Sequence, residues 1–271
     1  MTQGAFVPFS PRRVGALILR HWFVLRGSWP RIMELAYWPT MQMILWGFMT
    51  QFLATRSSYV AQAFGILLSG ALLWDVLFRG QLGVAISFLE DIWARNLGHL
   101  FVSPLRPVEM VAALLAMSLI RALIGLLPAT VLAGWFFGYN VLSLGLSLVA
   151  FFFNLIVMGW AIGLLICGLV LRYGQGAESL AWAAIFALAP ISGIYYPVAT
   201  LPDWLQPLAW SLPAAHVFEG MRAVLIDGVV RFDLMLRAAA LNCLYMLVGT
   251  GAFMAYFRIA RQRGQLLQMG E

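Results

Sequence analysis

Six apolar stretches, each close to the roughly 20 residues that a bilayer requires, constrain this chain more than any other feature. They lie at about Glu34–Ala54, Val60–Phe78, Val108–Phe137, Leu142–Leu171, Glu178–Tyr196 and Leu234–Arg258. Backbone in hydrocarbon must satisfy its own hydrogen bonds, so stretches of this length predict helices. The expected fold class is all-α and polytopic, with six transmembrane helices in a single domain over residues 1–271. The third and fourth are long enough to tilt or to project beyond the bilayer. Composition agrees, with 62% of residues hydrophobic and only 10% charged, outside the range of soluble domains. No internal repeat or linker marks a second domain, and Met1–Ser10 lacks the basic cluster and short apolar run of a signal peptide.

All 17 basic residues are arginine, so the net charge of +6 bears on membrane orientation and is not a nucleic-acid footprint. With the N-terminus inside, the inner side holds Arg12, Arg13, Arg20, Arg26, Arg31, Arg79, Arg95, Arg106, Arg172, Arg258, Arg261 and Arg263. The outer side then holds only Arg56, Arg222, Arg231 and Arg237, which predicts that both termini are cytoplasmic. Residues 10–31 interleave five of the inner arginines with Val14, Leu17, Ile18, Trp22, Phe23 and Leu25 at three- and four-residue steps. That pattern predicts an amphipathic helix in the interface, its arginines toward anionic lipid headgroups.

Two stretches break the apolar pattern. Residues 88–106 form a polar island in which Glu90, Asp91 and Arg95 fall at helical spacing, with Ile92, Trp93 and Leu97 supplying an apolar side. Asp91 and Arg95 stand at i,i+4, the favourable order for an ion pair on an exposed helix face, and Ser103-Pro104 ends the run. Such a helix lies along the surface, docks into a groove of another protein, or is an ordinary solvated loop between spans. Residues 192–222 are too rich in proline for a plain span and too apolar for a solvated loop. Pro197, Pro202, Pro207 and Pro213 each forbid a continued helix. Two forms fit: a re-entrant pair of short helices at the outer face, with Trp204 and Trp210 at the interface and Glu219 pairing with Arg222, or a folded outer cap.

Charges inside spans mark functional candidates. Asp75 and Arg79 stand at i,i+4 and are expected to pair. Arg121 lies within the third span, where it faces protein or a wet cavity with Asp75 or Glu178 as partner, or snorkels to the interface. Gly134–Gly138 and Gly159–Gly163 are both GxxxG pairs that would let helices approach closely. Cys167 and Cys243 sit in apolar segments as packing residues. His21, His99 and His216 are scattered, without metal-ligand spacing. A phosphate-binding P-loop needs a lysine, and the chain has none, so ATP hydrolysis here is excluded.

In the order Arg95, Gly98, Leu100, Ser103-Pro104-Leu105, and then Ser192-Gly193, Tyr196-Pro197, Leu201-Pro202, Trp204-Leu205, Pro207, Leu208, Pro213, Glu219 and Arg222, the chain resembles an ABC-2 type permease, the transmembrane subunit of an export ABC transporter. Where that family tends to carry Phe-Pro, this chain has Tyr196-Pro197. The resemblance implies a cytoplasmic coupling helix made of Glu90, Asp91, Ile92, Trp93, Arg95, Asn96 and Leu97, docking into an ATPase subunit. It implies an outer gate at Tyr195, Tyr196, Pro197, Leu201, Pro202, Trp204, Pro213, Glu219 and Arg222. It further implies a second permease chain, identical or different, and ATP and magnesium bound by the partner with no cofactor in this chain. The location it implies is a bacterial inner membrane.

Two other classes compete. A secondary transporter driven by an ion gradient needs embedded carboxylates, for which Asp75 and Glu178 are the candidates, and usually an inverted repeat. A non-transporting membrane enzyme or assembly factor would show clustered His, Asp or Glu at membrane depth, and the sequence offers none.

Overall fold

The computed structural model describes residues 9–54 and 64–263, and among these every regular element is helical. In chain order the α-helices are α1 (Pro11–Arg26), α2 (Trp29–Ala54), α3 (Phe64–Trp93), α4 (Leu97–Val102), α5 (Pro107–Phe137), α6 (Leu146–Tyr173), α7 (Ser179–Leu188), α8 (Gln206–Trp210), α9 (Pro213–Arg222) and α10 (Phe232–Gln262). Helix α6 packs between α3 and α10, α5 covers another side of α3, and α1 and α2 lie against α5.

Local chemistry sets the boundaries. Pro11 and Pro107 open α1 and α5, where a missing N–H costs nothing. Glu109 caps α5 by accepting from the Arg106 N–H at 3.0 Å. Gly138 at φ 63° stops α5 in a left-handed turn that a side chain would resist.

Of the two GxxxG pairs, Gly159–Gly163 is the packing seam. A Cβ at Gly159 would lie 2.6 Å from the Leu77 carbonyl oxygen, and one at Gly163 would lie 2.8 Å from that of Gln81, so α6 and α3 meet backbone against backbone. A Cβ at Gly134 would make only an ordinary contact, 3.8 Å from the Tyr139 carbonyl oxygen, and Gly138 serves the helix end instead.

Four described helices are long and apolar enough to cross a membrane: Gly65–Trp93, Pro107–Phe137, Leu146–Tyr173 and Phe232–Gln262. Helix α2 has the length, 26 residues, but is not among them; Arg31, Glu34, Gln42 and Gln51 make it more polar. The expected fifth span is not one helix. It stops at Leu188 and continues as a short 3-10 turn, Ala189–Ile191, because Pro190 removes an N–H donor. The expected second span ends at Phe78, whereas α3 runs on to Trp93. In the extra turns Arg79 pairs with Asp75, and the Gln81 amide donates to the Ala181 carbonyl at 2.5 Å, so part of their polar content is taken up inside the protein. Arg56 and the first residues of that expected span, 60–63, lie outside the described residues.

Candidate functional site

Extending α3 to Trp93 carries two carboxylates into the protein. Glu90 and Asp91 are 9% and 1% exposed, a position that an ionised carboxylate tolerates only when paired. Glu90 accepts from Arg121 of α5 at 2.6 Å and from Arg31 of α2 at 3.1 Å. Asp91 accepts from Arg20 of α1 at 2.5 Å and lies 3.4 Å from His21. A third buried carboxylate, Glu109 at the start of α5, takes Arg13 of α1 at 2.6 Å and the Ser10 N–H at 2.7 Å. Helix α1 is thus clamped by its own cations to the end of α3 and the start of α5.

His21 belongs to this clamp. Its Nδ1 faces the Leu17 carbonyl at 2.9 Å, and its Nε2 faces the Ser87 carbonyl at 3.3 Å as well as Asp91. Burial opposes its charge, but the hydrogen bond and charge of Asp91 outweigh that, so the imidazole titrates above its ordinary range. When protonated, the ring has two donors to offer these acceptors.

Beside the clamp lies a cavity of about 300 Å³ between α2, α3, α5 and α7. Arg31, Glu90, Trp93 and Arg121 line one end of it, and Phe78 and Trp182, with ring centroids 5.9 Å apart, line the other.

Several expected roles change. Residues 90–97 do not form a separate exposed helix: Glu90, Asp91, Ile92 and Leu97 point inward, and Trp93, Ala94 and Arg95 are exposed, with Asn96 half-buried. The i,i+4 register between Asp91 and Arg95 is lost because α3 stops first, and Asp91 is held by α1. Arg121 pairs with neither Asp75 nor Glu178. Asp75 is taken by Arg79 at 2.5 Å, and Glu178 makes no ion pair among the described residues. Arg13, Arg20 and Arg31, expected to face headgroups, answer protein carboxylates instead.

The proline-rich segment 192–222 folds as turns and two short helices. Pro213 begins α9, and Pro207 stands at the start of α8. Tyr195 stacks on Trp46 of α2 with centroids 4.4 Å apart, and the Tyr196 hydroxyl donates to the Pro190 carbonyl. Glu219 and Arg222 do pair, at 3.1 Å, and they also hold the broken backbone. Arg222 donates to the Gly193 carbonyl at 2.6 Å, and Glu219 accepts from the Val198 N–H at 2.6 Å. Leu201 packs on a small core of Val198, Ala209 and Ala215, separate from the main one, while Trp204 is exposed at 77%.

A family model of the ABC-2 type transporter matches residues 14–226, most of the chain and both unusual stretches. The chain belongs to the ABC-2 type transporter family. Members are multi-pass transmembrane subunits, typically non-catalytic, that generally work with a separate ABC ATPase. A search of curated proteins gave no match.

In this ABC-2 chain the exposed loop after α3 is set by one unusual residue. Arg95 sits at φ 52° and terminates α3 with a paired closure: Arg95 N–H to Ile92 carbonyl at 2.8 Å, and Asn96 N–H to Asp91 carbonyl at 3.0 Å. Glycine normally fills this left-handed position, because a Cβ there is strained by roughly 1 kcal/mol. Arg95→Gly is therefore expected to raise the thermal midpoint of the purified chain slightly. A fall would mean that the arginine side chain contributes more than its backbone strain costs.

Proposed function

We propose that this ABC-2 chain is the permease subunit of an ATP-driven exporter that moves a polysaccharide, glycolipid, lipid or drug-like substrate out of the cytoplasm. ATP and magnesium are bound and turned over by a separate subunit. Helices α2 and α7 with its continuation complete six spans, both termini are cytoplasmic, and the location is a bacterial inner membrane. A second permease chain, identical or different, completes the pathway.

The observation that carries this reading is the carboxylate clamp at the end of α3. Any push on the loop between Trp93 and Pro107 reaches Glu90 and Asp91 within a turn of helix. From there it passes through buried ion pairs to α1, α2 and α5 at once. The coupling element is then the exposed loop face, with Trp93, Arg95 and the short helix α4, resting on the inward-facing Glu90, Asp91, Ile92 and Leu97. ATP binding in the partner closes it against this loop. The clamp passes the motion to α3 and α5, and the segment from Tyr195 to Arg222 opens as the outer gate. Tyr195 on Trp46 links that gate to α2.

Affinity purification of the tagged chain from its native membrane in mild detergent, with mass spectrometry, tests this. A stoichiometric P-loop ATPase is the expected companion, and a second permease would identify a heterodimer. Recovery of the chain alone, under conditions that keep other ABC complexes whole, would reject the reading in favour of an ion-driven transporter.

A further inference from the structure

The clamp contains one ring whose surroundings fit only one of its charge states. His21 is 3% exposed, on the side of α1 that meets the end of α3. Its Nδ1 faces the Leu17 carbonyl at 2.9 Å, and its Nε2 faces the Ser87 carbonyl at 3.3 Å and the Asp91 carboxylate at 3.4 Å. All three neighbours are acceptors. A neutral imidazole carries one N–H, so its other nitrogen would turn a lone pair toward an oxygen; only the imidazolium donates on both sides. Asp91 favours the same choice. Its Oδ1 takes Arg20 at 2.5 Å, and its buried Oδ2 is left for the ring.

The other charges of the clamp are matched without the ring. Arg20 opposes the proton on His21 but is itself held by Asp91. Arg31 of α2 and Arg121 of α5 share Glu90 of α3, and Arg13 of α1 is held by Glu109 of α5. Loss of the proton therefore falls on the contact between α1 and α3. It strands at least one buried acceptor on that contact, where an unmade hydrogen bond is costly. The ring is also within reach of water. A cleft of about 300 Å³ lies against it, walled by Arg20 and Arg31 and by the exposed Trp93 and Ala94.

We propose that His21 is a proton-operated latch: protonated, it locks α1 onto the end of α3, and deprotonated, it lets α1 loosen, so the clamp responds to the pH on the side of the loop after α3. This names a regulation of the coupling site, and it rests on the permease reading for calling that side the cytoplasm. The direction follows from the ring's partners. Burial opposes the proton, but Asp91 and the Leu17 carbonyl together outweigh it, so the folded chain holds the proton more tightly than the unfolded one. The stability that the proton adds is complete below about pH 6.5, the unfolded value. It is lost as the pH rises through the higher folded value.

Two measurements on the full chain in nanodiscs test the latch. The chain has three histidines, so hydrogen–deuterium exchange at the ring Cε1, read peptide by peptide by mass spectrometry, titrates each one separately. His21 is expected to titrate above about 6.5. Backbone exchange of α1, corrected for its intrinsic rate, is expected to quicken about fivefold between pH 6 and pH 8.5, the effect of one lost buried hydrogen bond. His21→Gln should remove that step, and the double variant His99→Gln, His216→Gln should keep it. A ring that titrates at or below about 6.5, α1 exchange that does not change across this range, or a step that survives His21→Gln would overturn the proposal. The ring titration needs no substitution, so it decides the matter even where His21→Gln does not fold. Neither measurement needs an ATPase, so their failure and a failure to capture that partner are distinguishable.

Discussion

Gly159→Leu is expected to remove the folded chain from the membrane extract. The Cβ that leucine brings would lie 2.6 Å from the Leu77 carbonyl oxygen, 2.8 Å from the Gln81 nitrogen and 3.0 Å from the Gly80 carbonyl carbon. All three are backbone atoms of α3, so no rotamer change relieves the clash. Relief requires α3 and α6 to move apart, and α6 is tied on its far side to α10, where a Cβ at Gly249 would meet the Ala161 carbonyl oxygen at 2.3 Å. Overpacking a close-packed interior costs about 1–3 kcal/mol when side chains yield, and more when backbone must. Against a total stability of roughly 5–15 kcal/mol, such a loss unfolds much of the population. The measurement is the monodisperse peak of a fluorescent fusion in size-exclusion chromatography. Gly134→Leu is the control, since the nearest atom to a Cβ there is the Tyr139 oxygen at 3.8 Å, and its peak should match the unmodified chain. Equal loss in both would mean that glycine is needed at both positions for some reason other than the α3–α6 contact.

That contrast also marks where sequence reading stops. Gly134–Gly138 and Gly159–Gly163 carry the same spacing, and spacing alone ranks them equally. What separates them is which face of the helix meets a neighbour, a property of tertiary packing. Local features were readable for the same reason in reverse. Asp75 and Arg79 share one helix face four residues apart, and the prolines at 197, 202, 207 and 213 fall outside helices or in a helix's first turn, never deeper in one. The clamp was not readable, because Glu90 meets Arg121 across 31 positions and Asp91 meets Arg20 across 71. Both pairs depend on α3 continuing to Trp93. Charged residues at 90 and 91 argue locally for a surface, and only cations on other helices make their burial tolerable. The arginines of α1 were visible as an amphipathic row, but whether such a row faces headgroups or carboxylates depends on what lies opposite. The same limit hid Asn242, whose amide donates to the Asn154 carbonyl at 2.9 Å and joins α10 to α6 at a point where neither sequence segment signals a partner.

The clamp itself makes an asymmetric prediction. Glu90→Leu strands Arg121, whose side chain is 5% exposed and whose Nε already lacks a partner, so it leaves a buried cation without compensation. Breaking a buried pair in this way costs about 3–5 kcal/mol. Arg121→Leu is expected to cost less, because Glu90 keeps Arg31 at 3.1 Å, and that arginine, 43% exposed, can shift to follow it. The double variant removes both buried charges and should regain most of the stability lost by Glu90→Leu, giving a coupling of roughly 1–3 kcal/mol between the two sites. Thermal midpoints of the four chains in one detergent measure this. Additive losses would mean that the two side chains are stabilised separately and that α5 is not tied to the end of α3 through this pair. If coupling is present, the double variant then separates stability from transmission. It folds, yet α3 and α5 are joined by apolar contact without a directional ion pair, so ATPase activity of the assembled transporter should respond less to substrate. A double variant that regains stability and keeps the full substrate response would place transmission elsewhere in the clamp, in the Asp91 pair with Arg20 and His21 or in the Glu109 pair with Arg13, both of which lead into α1.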